Sequence, residues 1–383
     1  MRSLDTLTLR SRRSALAAPL IGLLALSISG ITRAATIEQE TLNRIEQIRA
    51  IKSGQSGQTM ETYNRRMDDA WKFYASHKPE ILPILRAQLG VEIARKEPSD
   101  LVLLDVGLFV HANDGAEGRA LARDALFRLN PRAEIINENF KELFEFAHAA
   151  GEDRDGRILD FLDKNFLPTQ QTIFIPQHAL KLDGTLMCIF LYGAFGTDAE
   201  GHLRSKLQDP TVAKRVLEVL GWLGSPGSLP EVGNTLTAAP GYETFARVTS
   251  FMMQVGGPAG REFMLKVDPN KLDPQSREYL AKIRPAIEGM SFEAIRSSLA
   301  KVPGDQKLSP TEMKSRLDAM IANYGQDDRT SPVAVLDSGL SSDVLIPSLL
   351  KVRSRALYRL SDEALSDVEA TNTIVNGLRY RGH

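Results

Sequence analysis

Two histidines sit in the same four-letter word, Phe109-Val110-His111-Ala112 and Phe146-Ala147-His148-Ala149, 37 residues apart. Each lies 20 residues ahead of a proline, Pro131 and Pro168. If the two words hold equivalent places in a repeated unit, their imidazoles stand on neighbouring helices, about 8–10 Å apart. Both rings could then approach one ligand, with Asn113, Asp114, Glu152 or Asp153 nearby, for metal ligation, proton transfer or a phosphate contact. The competing reading is local. A histidine in the last turn of a helix donates to the terminal carbonyls and is favoured by the negative end of the dipole. The local reading carries more weight, so no metal site is assigned, and His111 and His148 are kept only as candidate ligands.

Other chemistry-bearing patterns are absent or misplaced. The chain has no His-Glu-x-x-His pair, no G-x-x-x-x-G-K loop, no G-x-G-x-x-G turn and no G-x-S-x-G elbow. Asp153 and Asp155 around Gly156 mimic part of a calcium loop, but its twelfth position is Leu162 where a glutamate is needed. Ser298-Leu299-Ala300-Lys301 and Ser348-Leu349-Leu350-Lys351 spell S-x-x-K, and Lys52-Ser53-Gly54 resembles K-T-G. The lysine element precedes both serines, the wrong order for a penicillin-recognising enzyme. No catalytic residue and no cofactor are therefore expected.

Charge and cysteine narrow the setting. The net charge is −1, and removing residues 1–34 takes away five arginines and one aspartate, leaving the rest more acidic. No basic field points to nucleic acid. The single cysteine, Cys188, lies in the apolar run LMCIFLYG and reads as a reduced core thiol. At the N-terminus, Arg2, Arg10, Arg12 and Arg13 precede an apolar stretch over Ala15–Ile31, and Thr32-Arg33-Ala34 suits cleavage before Ala35. This is the pattern of an export signal. Ser11-Arg12-Arg13-Ser14-Ala15-Leu16 resembles a twin-arginine motif, with Ala15 where a larger apolar residue is usual. With no second long apolar span, the expectation is a periplasmic or secreted bacterial protein that is not integral to the membrane once the signal is cleaved.

The elements that would position any site come from a recurring unit. Ile189–Gly196, Val216–Gly224 and Val248–Gly256 are apolar runs stopping on glycine, each followed by a second run closed by Pro210, Pro240 or Pro269. Longer versions precede them. Leu101–His111 and Phe140–His148 are first helices, and Leu121–Leu129 and Ile158–Phe166 are second helices, closed by Pro131 and Pro168. A hairpin of this length cannot bury its apolar face alone and has to stack on its neighbours.

Upstream, Ile37, Leu42, Ile45 and Ile48 make a sparse helical arm before the break Gly54–Gly57. Met60, Tyr63, Met67, Trp71 and Tyr74 then fall on one helical face. Capping is predicted from Asp209-Pro210, Asp268-Pro269 and Asp273-Pro274, and from the boxes Ser228–Glu231 and Ser309–Glu312. Thr172–Pro176 is the best strand candidate and is too short to seed a sheet. Connectors around a helix at Pro310–Asn323 lead to two final helices, Ser342–Leu360 and Ser361–Leu378, which are expected to cap the stack. Lys351, Arg353, Arg355 and Arg359 give the first of these a basic face, and Trp222 sits in a repeat turn. All five are candidate partner-binding residues, against a solvated face for the cations and a core position for Trp222.

The unit LEVLGWLGSPGSLPEVGNTL, residues 217–236, resembles the short HEAT-like repeats of armadillo-type proteins. The resemblance covers about residues 101–300. It places Arg215 and Arg247 as candidates for the inner-helix arginine, without a recurring aspartate beside them. It implies a curved scaffold that offers its concave face to a protein or peptide, and it implies no catalytic residue.

The expected fold is all-α, an α-solenoid of stacked helix hairpins without a significant sheet. Its expected segments are a cleaved export signal over 1–34, an arm and flexible linker over 35–58, a repeat domain over 59–300, and a connector with capping helices over 301–383. The expected function is an exported scaffold or adaptor for another envelope protein or peptide. The alternative is a helical-barrel enzyme acting on polysaccharide or cell-wall glycan. Two tryptophans and 7% aromatic content are thin for the stacking platforms sugars need.

Overall fold

The computed structural model describes residues 36–51, 58–175, 179–236, 241–299, 308–322 and 332–381. The export signal, Lys52-Ser53-Gly54, the Gly54–Gly57 break, Pro240 and Lys301 lie outside the described residues. Among the described residues the protein is all-α apart from one two-stranded hairpin. The chain divides into two compact units, 1–150 and 151–383, a boundary inside the 59–300 stretch read as one repeat domain.

The first unit runs from α1 (residues 36–49) through α2 (Gln58–Ser76), α3 (Lys78–Ala94), α4 (Asp100–Asn113), α5 (Ala116–Arg128) and α6 (Glu134–Glu138) into α7 (Phe140–Gly151). In α1 the stripe Ile37, Thr41, Ile45 and Ile48 is buried. Arg49 pairs at 2.6 Å with the fully buried carboxylate of Glu92 on α3, so the expected arm is packed into the unit. Helix α4 packs against α3, α5 and α6. Leu101–Gly107 are all buried, as a helix with apolar residues all round must be. Gly107 permits this closeness, since a Cβ there would lie 2.9 Å from the ring of Phe146.

The second unit begins with α8 (Arg157–Asn165) and the hairpin β1 (Ile173–Ile175) and β2 (Leu180–Leu182). Ile173 pairs with Leu182 and Ile175 with Leu180, all four turned inward. The sequence singles out β1 and not β2. Next come α9 (Gly184–Phe195), α10 (Asp198–Ser205), α11 (Ala213–Leu223), α12 (Leu229–Asn234), α13 (Tyr242–Gln254), α14 (Gly257–Leu265), α15 (Pro274–Glu288) and α16 (Phe292–Leu299). Helices α9, α11, α13 and α15 each pack on the next in that order, while α10 packs on α9 and α11, α12 on α13, and α14 on α13 and α15. The first helices end at the expected glycines. Gly196 takes φ +99°, and a Cβ on Gly224 would lie 2.4 Å from the Leu220 carbonyl oxygen.

The chain finishes with α17 (Pro310–Ala322), α18 (Pro332–Leu336), α19 (Ser342–Leu357) and α20 (Asp362–Tyr380). They share a core with α16 built on Met313, Leu317, Leu336, Leu345 and Val375. Instead of closing one end of the helix row, α19 packs on α9 and α20 packs on α11, α13 and α14.

The caps sort by what else is near. Asp273 caps α15 by accepting from Gln275 and Ser276 N–H, and Ser309 with Glu312 forms the reciprocal box on α17. Two expectations fail. Asp209 accepts from Thr211 in a turn before α11, and the Ser228 hydroxyl donates to Glu200, leaving no box with Glu231.

Candidate functional site

The candidate partner-binding residues divide by burial. Lys351 and Arg355 on α19 and Arg359 just past its end, spaced four apart, are exposed. Arg355 lies over the ring of Tyr358 at 5.5 Å, and the Tyr358 hydroxyl donates to the Ala194 carbonyl at the end of α9. Arg353 is 4% exposed and does not belong to that basic face. Its guanidinium donates to the carbonyls of Trp222 and Leu223, at 3.3 and 2.7 Å, and to Asn372 Oδ1. Trp222 is half-buried, and its carbonyl also accepts from Asn372 Nδ2 at 2.8 Å. Two residues expected to meet a partner thus meet each other.

The same pattern continues along α20. Asn376 donates to the Met253 carbonyl, Arg379 to that of Val255 and Tyr380 to that of Gly257. The last turn of a helix has carbonyls without intrahelical partners and a partial negative charge. The α19–α20 pair serves these carbonyls on α9, α11 and α13 in turn. Burial lowers the pKa of both Arg353 and Arg379 to about 10, so both stay charged at neutral pH.

At the opposite, N-terminal ends of α11 and α13 lies a polar ladder. Thr185 donates to Glu218, Glu218 pairs with Arg247 at 2.9 Å, and Lys214 pairs with Glu243 at 2.6 Å. Beside it, Tyr242 and Tyr279 meet edge to face at 5.7 Å, both half-buried. Of the two arginines singled out by the repeat resemblance, Arg247 belongs to this ladder. Arg215 instead donates to the carbonyls of Phe166, Leu167 and Thr169 after α8.

His111 and His148 occupy the last turns of α4 and α7, 7% and 6% exposed. The His111 ring meets Phe146 edge-on at 6.1 Å, and that of His148 stacks near Phe144 at 6.0 Å. Among the described residues, ligating atoms converge elsewhere, at Asp160, Asp163 and His202. Asp160 and Asp163 are three apart on α8, and His202 comes from α10. Asp163 Oδ1 accepts from the Tyr192 hydroxyl at 2.7 Å, while Oδ2 lies 2.8 Å from His202 Nε2 and 2.6 Å from Lys206 Nζ. Desolvation, with Asp163 beside it, pushes the pKa of Tyr192 well up, and its hydrogen bond to Asp163 raises that of Lys206. No sequence motif marks this cluster, because His202 lies 39 residues beyond Asp163.

Two further buried groups have clear roles or costs. Cys188 is a core thiol whose pKa burial pushes up to about 12. Asp105 on α4 is 1% exposed; Oδ1 accepts from Trp71 Nε1 at 2.5 Å, and Oδ2 has no partner among the described residues. Burial raises this carboxyl to about 7. The serine of Ser348–Lys351 bonds the Val344 carbonyl of its own helix.

Compared with protein-family models, curated proteins and solved structures, the chain matches none. Among the described residues no helix is long and apolar enough to cross a membrane.

Proposed function

We propose that the protein is an exported helical-repeat scaffold of the HEAT-like kind, holding another envelope protein or peptide along the first-helix face of a solenoid. The observation that carries this reading is the order of packing, in which α9, α11, α13 and α15 each lie on the next. Stacking of successive hairpins in that order produces a continuous surface from side chains distant in sequence. That surface combines the Glu218–Arg247 and Lys214–Glu243 pairs with the half-buried Tyr242 and Tyr279 rings. Charged pairs give register and tyrosines give contact area at low entropic cost, the mixture common in recognition surfaces. The exposed Lys351, Arg355 and Arg359 stripe is a second place for an acidic partner to touch.

Site-specific crosslinking in the envelope tests this. A photoreactive residue at Ser250 or Tyr279, on the first-helix face, is expected to capture one and the same partner. The same residue at Glu262 on α14 or Lys266 at its C-terminal cap is expected to capture none. Equal capture from all four positions, or none at Ser250 and Tyr279, refutes the scaffold reading. Mass measurement of the exported chain, expected to begin at Ala35, checks the export signal.

A further inference from the structure

We infer that Asp160, Asp163 and His202 form a binding site for one divalent first-row metal ion, with Lys206 as the tethered cation that holds the place when the metal is away. The ligating atoms of the three side chains all lie within 4.8 Å of one another. Ligands at about 2.0–2.2 Å from a shared ion stand about 3.3–3.6 Å apart in a tetrahedral set, so movements of under roughly 1 Å by each side chain close it. Two carboxylates and one imidazole suit zinc, manganese or ferrous iron better than calcium or a soft ion.

Three features of the surroundings point the same way. Tyr192 holds Asp163 through Oδ1 at 2.7 Å, the outer contact that orients a ligating carboxylate and leaves Oδ2 to face a metal. Asp163 Oδ2 already faces a cation, with Lys206 Nζ at 2.6 Å and His202 Nε2 at 2.8 Å. One ammonium does not neutralise Asp160 and Asp163 together, and the negative potential left over favours a doubly charged ion. Lys206 is 32% exposed on a flexible stem and can swing to solvent as the metal enters. Asp160 is exposed, and three protein ligands leave the remaining positions to water.

The test is calorimetric titration of the metal-stripped full chain with zinc chloride alone. The native chain is expected to take up one zinc, and Asp160→Asn and His202→Ala are each expected to lose it. Tyr192→Phe should weaken binding roughly tenfold to a hundredfold, as losing an outer contact does. Lys206→Met should tighten it by removing the competitor. His111→Ala with His148→Ala should leave uptake unchanged, which separates this site from the two repeat-word histidines. Undiminished zinc uptake in Asp160→Asn or His202→Ala overturns the inference. So does uptake by Lys206→Met but not by the native chain, because the lysine would then occupy the site permanently, and so does the absence of uptake in both. Asp160→Asn changes an exposed side chain, so its result stands even if a buried variant fails to fold.

Discussion

Asp105 concentrates the electrostatic risk of the first unit in one side chain. It carries a buried carboxyl with one hydrogen bond, from Trp71, and the nearby Tyr74 hydroxyl is also buried without a partner among the described residues. Its folded pKa, about 7, lies above the ordinary carboxylate value of 3.8. The native state therefore holds a proton that the unfolded chain has released. The associated stability is complete below pH 3.8, declines as pH rises, and is gone above about 7. A shift of about three units corresponds to at most on the order of 4 kcal/mol. Chemical denaturation of the native chain from pH 5 to 8.5, read on Trp71, should show this decline, and Asp105→Asn should flatten it. Parallel slopes would show that the carboxyl is hydrated in solution. Sequence patterns could place Trp71 and Tyr74 on a buried face, but they could not find Asp105, because its helix is apolar on every side and its one partner comes from another helix.

Helix α19 shows how one element divides its labour. Leu345, Leu349, Val352 and Ala356 are buried as their spacing foretells, while the cations beside them go two ways. Arg353 turns in to the α11 carbonyls and Lys351 with Arg355 stays out. Arg353→Met takes the side-chain donor from the Leu223 carbonyl, while that of Trp222 keeps Asn372, and should cost about 2–4 kcal/mol in urea denaturation, the range for breaking a buried charged contact. Lys351→Ala and Arg355→Ala should each stay within about 0.5 kcal/mol. Equal effects would mean that the carbonyl contacts contribute nothing. The helix and its apolar stripe were legible in the sequence because both depend on residues a few places apart. The fate of Arg353 was not, since its acceptors lie 130 residues upstream on α11. The same limit hid Asp163 and His202, and it explains why Ser228, drawn to Glu200, abandons the local box it spells.

The whole molecule divides into units that each carry one tryptophan, Trp71 in the first and Trp222 in the second. Deleting residues 361–383 removes α20 and its donors to Met253, Val255 and Gly257. The truncated chain should lose its cooperative unfolding transition on the Trp222 signal while keeping it on Trp71, read separately in Trp71→Phe and Trp222→Phe backgrounds. Loss of both signals together would mean that the units fold as one. Helix boundaries at this scale could be read from glycine and proline placement. The folding of the C-terminal helices across the row could not, because polar donors to backbone carbonyls leave no periodic trace.

That arrangement has a consequence for synthesis. Residues 353–380 supply the donors for turns translated more than a hundred residues before them, so the second unit stays incomplete until those residues have left the ribosome. A chain cut short by a premature stop therefore presents bare helix ends and an uncovered oily flank, the kind of surface that proteases and chaperones recognise, and quality control can distinguish it from the finished product.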